Sequence, residues 1–220
     1  MIERIVSARL QAASVPHIIK ATARDLGVQL TLRKGRRTGI LQARLKASGQ
    51  RLRAITRLVK LDKAARRLST SGALPQAFWG SEVIGISPTS LRAFRSLFAS
   101  TSGINQASRC ATTAIRIALN TDPAVDYLLR AVKSMLRALR LVLRSKLAPK
   151  LRTAWANAHE AVVGQEAVAP HTLSLAPPPA PRWGVVAGPV AAFIASLTPY
   201  GWKVPNPQRW IAPFWRNFCY

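Results

Sequence analysis

The chain has 220 residues, 49% of them hydrophobic, with 33 Lys and Arg against 8 Asp and Glu and a formal net charge of +25. That apolar fraction is enough to bury a core, so global disorder is not expected. Self-repulsion at +25 destabilises a compact state unless a polyanion offsets it, so RNA, DNA or an anionic membrane surface is the expected counterpart, nucleic acid first because the cations run along most of the chain.

Residues 1–38 read as an N-terminal segment. MIERIVSARLQAAS lacks the long apolar run of a secretory signal; its amphipathic, Arg-bearing character admits a mitochondrial transit peptide as a minor reading. Pro16 breaks the first element, and Leu26, Val28 and Leu30 alternate as in a strand over 23–30. The basic turn that follows, Arg33, Lys34, Arg36 and Arg37, suits phosphate contact, a localisation signal or a solvated loop.

Residues 39–165 read as a basic helical domain. Leu45, Leu52, Ile55, Val59 and Leu68 recur in helical phase over 39–70, with Gly49 as a possible division and Arg66 and Arg67 near the end. Gly72 is expected to stop that helix. Ala73–Val83 then reads as a short buried helix entered near Pro75 and ended by Gly85. Ser87 and Pro88 cap and open the next helix, which carries Leu91, Phe94, Leu97 and Phe98 on one face. After a connector at 100–103, residues 104–119 read as a helix with Cys110 inside it.

The strongest pattern starts at Thr121 or Asp122, either of them a cap before Pro123, with Asp126 in the first turn. This helix is expected to run to about Leu147, stopped by Pro149, with Val125, Leu128, Leu129, Val132, Leu136, Leu139, Val142 and Leu143 as its apolar set. Its cations Arg130, Lys133, Arg137, Arg140 and Arg144 fall on one stripe. No interleaved acid is expected to pair with them. Residues 150–163 continue helical.

Residues 166–182 are a Pro-rich linker, with polyproline II expected over 171–182. Residues 183–220 hold nine of the fifteen aromatics, no acid, and prolines at 189, 199, 205, 207 and 213. They read as an aromatic, poorly ordered C-terminal tail. Val185–Leu197 is too short to cross ~30 Å of hydrocarbon. The expected fold is therefore mainly α, a helical bundle with little β.

Catalytic chemistry finds little footing. The acids are Glu3, Asp25, Asp62, Glu82, Asp122, Asp126, Glu160 and Glu166; only Asp122 and Asp126 stand close enough to converge on a metal, and a capped helix start explains them as well. His17, His159 and His171 are isolated, and no Gly-rich phosphate loop or nucleophile elbow is present. Cys110 and Cys219 are too sparse for a disulfide framework and read as free thiols in a reducing compartment. No catalytic residue, metal, cofactor or small-molecule substrate is expected.

One block carries a resemblance. Leu74-Pro75-Gln76-Ala77-Phe78-Trp79-Gly80-Ser81-Glu82-Val83 resembles the thumb motif of non-LTR (LINE-type) retroelement reverse transcriptases, with Trp79 where Tyr is usual and Gln76 where an apolar residue is common. Upstream, Asp25-Leu26-Gly27-Val28-Gln29-Leu30 is similar to the strand that closes that family's palm, with Asp25 in place of an aromatic. The resemblance spans roughly residues 20–150. It implies the post-catalytic part of such an enzyme, end of palm plus thumb and connection, without the paired aspartates of the active site. In that frame Leu74, Pro75, Phe78, Trp79, Gly80 and Glu82 form the core of the thumb, Gly80 permits close packing, and Glu82 pairs with an arginine.

The reading that follows is a non-catalytic, nucleic-acid-binding fragment that grips the phosphates of RNA, an RNA–DNA hybrid or a DNA duplex. Its contacts are Arg130, Lys133, Arg137, Arg140 and Arg144, then Arg33, Lys34, Arg36 and Arg37, then Arg66 and Arg67. The aromatics of 183–220 either stack on single-stranded bases or form a small core. The alternatives are a stand-alone RNA-binding structural component of an organellar ribonucleoprotein, a truncated retroelement remnant without function, and a basic amphipathic binder of anionic membranes. A retroelement origin implies nucleus or cytoplasm, the organellar alternative a mitochondrion.

Overall fold

The computed structural model describes residues 22–25, 28–31, 36, 38–104, 110–164 and 181–212. The expected class holds: the protein is mainly α, with β structure confined to two antiparallel hairpins among the described residues. The first hairpin pairs β1 (Thr22–Asp25) with β2 (Val28–Thr31), Thr22 opposite Thr31 and Asp25 opposite Val28. The single strand expected over 23–30 is thus two strands, paired with their nearest neighbour in the chain.

A first core gathers around α1 (Gly39–Val59), whose buried line is Leu41, Leu52, Ile55 and Val59. Gly49 does not divide this helix. It is buried against α4 (Pro88–Ser100), where an added Cβ would stand 3.3 Å from Leu97 Cδ1, so the glycine sets the approach of the two helices. Leu68, counted in the apolar phase, is exposed because α1 ends at Val59 and a 3-10 turn, Lys63–Arg66, follows.

The block 72–88 supplies the rest of this core. Gly72 lies inside a π-helical turn, Ser69–Ala73, which runs directly into α2 (Leu74–Phe78), so it is not a stop. The helix expected over 73–83 is split by Gly80, whose left-handed φ of 73° reverses the chain before α3 (Ser81–Ile84). Leu74 and Phe78 are buried, and Phe78 meets Phe94 at 5.4 Å and Tyr127 at 5.9 Å between ring centroids. Trp79, expected in the core, is 59% exposed, because the turn at Gly80 begins one residue after Phe78 and swings the indole outward. Ser87 Oγ accepts from the Ser90 N–H, and Pro88 opens α4 as expected.

A short α5 (Ala111–Ala118) leads to α6 (Pro123–Val142) and α7 (Ala148–Val163). The long helix therefore ends at Val142, not near Leu147. Pro149 is not its terminator; it sits in the first turn of α7, where a missing N–H costs nothing.

Residues 183–212, placed by sequence in a poorly ordered tail, fold as a 3-10 turn, helix α8 (Gly188–Leu197) and a hairpin of β3 (Lys203–Asn206) and β4 (Arg209–Ile211). Every residue from Ala191 to Leu197 is buried, as in a helix apolar all round. Prolines 189 and 199 bracket this helix and do not interrupt it. With Ala131, Met135 and Leu139 of α6, Trp155 and Val162 of α7, and Val204 of β3, it forms a second core. Trp155 Nε1 donates to Val204 O at 2.8 Å, tying α7 to the hairpin.

Helix α6 belongs to both cores: Tyr127 lies in the first and Ala131, Met135 and Leu139 in the second. At the junction Tyr127 Oη accepts from the Ile86 N–H at 3.0 Å and bonds to Ser196 Oγ, which in turn donates to Ala192 O at 2.6 Å. Because the Ser196 proton goes to Ala192 O, the phenol proton goes to Ser196. Removing the hydroxyl orphans the buried Ile86 N–H and one Ser196 lone pair. Tyr127→Phe is therefore expected to destabilise the protein by about 1–3 kcal/mol in urea unfolding. Burial pushes the Tyr127 phenol above its ordinary value of 10.0. Unfolded, it ionises near that value while the folded phenol keeps its proton, so stability falls as pH rises past about 10. The wild type should lose more stability than Tyr127→Phe in that range; parallel alkaline profiles would show that the relay is not a stability determinant.

Candidate nucleic-acid interface

Helix α6 places the predicted cations on its outer side because its apolar positions Tyr127, Ala131, Met135 and Leu139 are drawn inward at helical spacing. Lys133, Arg137, Arg140 and Arg144 are exposed, and none is in an ion pair among the described residues. Arg144 lies just past the helix, in the turn before α7. Arg130 differs. Its Nε donates to Asp126 Oδ2 at 2.7 Å, an i,i+4 pair in the first turns of the helix. The expectation that no acid pairs with the stripe is thus wrong for its first member, since Asp126 stands one turn before Arg130.

The basic turn before α1 divides as well. Arg33, Lys34 and Arg37 lie outside the described residues. Arg36 is half-buried and is not available to phosphate: its Nε donates to Ile84 O at 3.3 Å, its Nη2 donates to Gly85 O, and its guanidinium lies 4.9 Å from the centre of the Trp183 ring. A cation is favourable there, since the carbonyls closing α3 carry the negative end of the helix dipole. Gly85, with φ of 73°, is required at this point; a Cβ would come within 2.9 Å of Trp183 Cζ3. Desolvation lowers the Arg36 pKa from its usual value. Arg66 is half-buried and Arg67 exposed, both at the 3-10 turn that follows α1, an element apart from α6.

Among the described residues Glu82 does not pair with an arginine. Its Oε2 is buried without a hydrogen-bond partner among them. Arginines do reach this block, but at main-chain carbonyls: Arg36 at Ile84 and Gly85, and Arg44 at Trp79 O, 2.5 Å away. A carbonyl is a weaker acceptor for a guanidinium than a carboxylate, yet it is the Ile84 and Gly85 carbonyls that hold Arg36.

Sequence reading missed a second cationic line. Lys46, Arg53 and Arg57 of α1 and Lys60 at its C-cap are all exposed, spaced 7, 4 and 3 apart. Their spacing in the sequence carries that signal. A third feature needed the fold. A groove of about 520 Å³ runs between α6 and the β3–β4 hairpin, and Arg140 and Arg144 share it with Trp210.

The two acids one turn apart are both engaged. Arg95 grips Asp122 as a fork, Nε at 2.9 and 3.0 Å and Nη2 at 2.6 Å, while Asp122 Oδ1 also accepts from the Ala124 N–H at 3.0 Å. Burial alone would push the Asp122 carboxyl up, but these donors hold it below the usual carboxylate value. Cys110 precedes α5 instead of lying within a helix; Thr113 and Thr112 beside it bring its exposed thiol down to about 7. Among the described residues no three His, Cys, Asp or Glu side chains cluster to hold a metal ion, and no helix is long and apolar enough to cross a membrane.

No protein-family model matches the chain, and no curated protein or solved structure matches it either.

Asp122 has two separable roles, cap and ion partner. Asn keeps a capping oxygen and loses the charge, whereas Ala loses both, so Asp122→Ala is expected to be less stable than Asp122→Asn by about 1 kcal/mol. Because its folded pKa is depressed, the ionic contribution exists above the unfolded value of 3.8 and disappears as pH falls through the lower folded value. Both variants should therefore show a shallower acid limb in thermal melts than the wild type. An unchanged limb would remove Asp122 from the acid-sensitive set.

Proposed function

We propose that this protein is a non-catalytic nucleic-acid-binding protein that grips phosphates without fixed sequence. The observation that carries the reading is the outward face of α6, where Lys133, Arg137, Arg140 and Arg144 are exposed with no acid partner among the described residues. In so basic a chain, four neighbouring unneutralised cations, three on a well-packed helix and Arg144 in the turn just past it, form a preset track for a polyanion. The exposed cations of α1 add a second such face. Asp122 and Asp126, the acids best spaced for metal chemistry, are each held by an arginine, which fits a binding role better than a catalytic one.

The finer reading is that of a thumb and connection from a non-LTR retroelement reverse transcriptase, and it rests on the order and spacing of two sequence motifs. A helical scaffold with cationic outer faces is what gripping a template–primer duplex requires. RNA, an RNA–DNA hybrid or a DNA duplex would serve as ligand, since phosphate contacts carry no base information.

The test replaces Lys133, Arg137, Arg140 and Arg144 by Gln and leaves Arg130 in place. Affinity for a labelled duplex and a hybrid is followed by anisotropy at graded salt. Each lost phosphate contact should flatten the slope of log K against log salt by ~0.7–0.9. A slope that does not change sinks the α6 assignment. Binding to anionic vesicles with none to nucleic acid would move the function to a membrane surface.

A further inference from the structure

The groove beside α6 combines chemistry that a phosphate track does not need. Its walls are apolar: Leu136, Leu139 and Leu143 on one side, Pro207 and Trp210 of the hairpin on the other. Arg140 and Arg144 line it as well. Trp210 is half-buried and braced from behind by Phe193, ring centroids 5.0 Å apart at 50°, so the indole is held in place before any ligand arrives. Gln208, exposed in the hairpin turn, offers an amide at the same opening.

From this juxtaposition we infer that the groove takes one unpaired base of a bound strand, with its flanking phosphates on Arg140 and Arg144. The inference rests on the nucleic-acid reading above and assigns a subsite within it. The ligand must be flat and apolar on one side and anionic on the other, and a nucleotide meets both demands. A base can lie against the fixed indole, and stacking of this kind tolerates any base. The two guanidiniums form forks matched to phosphate oxygens. The amide of Gln208 gives a base edge a donor and an acceptor, which an acyl chain would leave unused. The volume, about 520 Å³, lies within the roughly 300–1,000 Å³ of sites for small ligands. A paired base is stacked on both faces inside a duplex and cannot enter, so the subsite selects an unpaired or frayed position.

The experiment removes bases and keeps phosphates. The full-length chain is titrated with a labelled single-stranded RNA of about twelve nucleotides, and with the same strand made abasic throughout. The intact strand should bind roughly tenfold more tightly, the effect of stacking about one base. Trp210→Leu keeps apolar volume against Phe193 but removes the indole face, and it should bring the intact strand to the abasic level while leaving abasic binding unchanged. Leu136→Ser, at the exposed edge of the groove, serves as the second variant where Trp210→Leu loosens the hairpin, and it should cut the same preference. Equal affinity for intact and abasic strands overturns the subsite while a salt-dependent duplex affinity leaves the phosphate reading standing. A preference that survives both substitutions also overturns it. Loss of binding to strands and duplex alike ends both readings, and tight binding to anionic phosphatidylglycerol vesicles alone reassigns the groove to lipid.

Discussion

Tyr127 is the side chain on which the two halves of this protein depend. Its ring packs on Phe78 in the first core, and its hydroxyl joins the Ile86 main chain to Ser196 of α8 in the second. Each donor in that chain has one acceptor, so the relay fixes the relative position of α6, α8 and the segment just after α3 more sharply than apolar contact alone would. Helix α6 is long because it must serve both cores. Its inner side is committed to them along its length, which leaves the outer side as the one place where its cations can stand.

The charge of +25 is managed by separation. The few acids are placed where they do most: Asp122 caps α6 and holds Arg95, and Asp126 sits in the favourable first turn and holds Arg130. Arg36 is turned inward to close α3 and cover Trp183. Among the described residues many other cations lie on outer helix faces, where water screens them. The same placement that lets the chain fold despite self-repulsion also concentrates positive potential on α1 and α6. Stability and the proposed polyanion binding thus draw on one arrangement.

The block from Gly72 to Pro88 illustrates how a motif can be right in its elements and wrong in its contacts. Pro75, Gly80 and Pro88 do punctuate short helices, and Leu74 and Phe78 do enter the core. Residue type alone sends Trp79 to the core and Glu82 to an arginine. A left-handed turn at Gly80 sends Trp79 outward, and the nearby arginines find main-chain carbonyls. Side-chain type sets what a residue can bind; the backbone path sets what it meets.

While the fold settled which of the apolar residues of α6 are buried, the sequence by itself determined the helical class, the cap at Ser87 and the cationic face of α6. These follow from local rules: periodicity within one helix and a side chain reaching its own backbone. Only the tertiary structure decided that residues 183–212 fold. Their aromatics and prolines read as a tail, yet α8 is buried between α3, α6 and α7, whose apolar faces would otherwise meet water. It likewise decided that Arg36 is structural and Arg140 is not, and that Trp210 stands beside Arg140, some seventy positions away in the chain. Such pairings join distant segments, and no local pattern encodes them, because burial is settled by the whole set of surfaces that must be removed from water together.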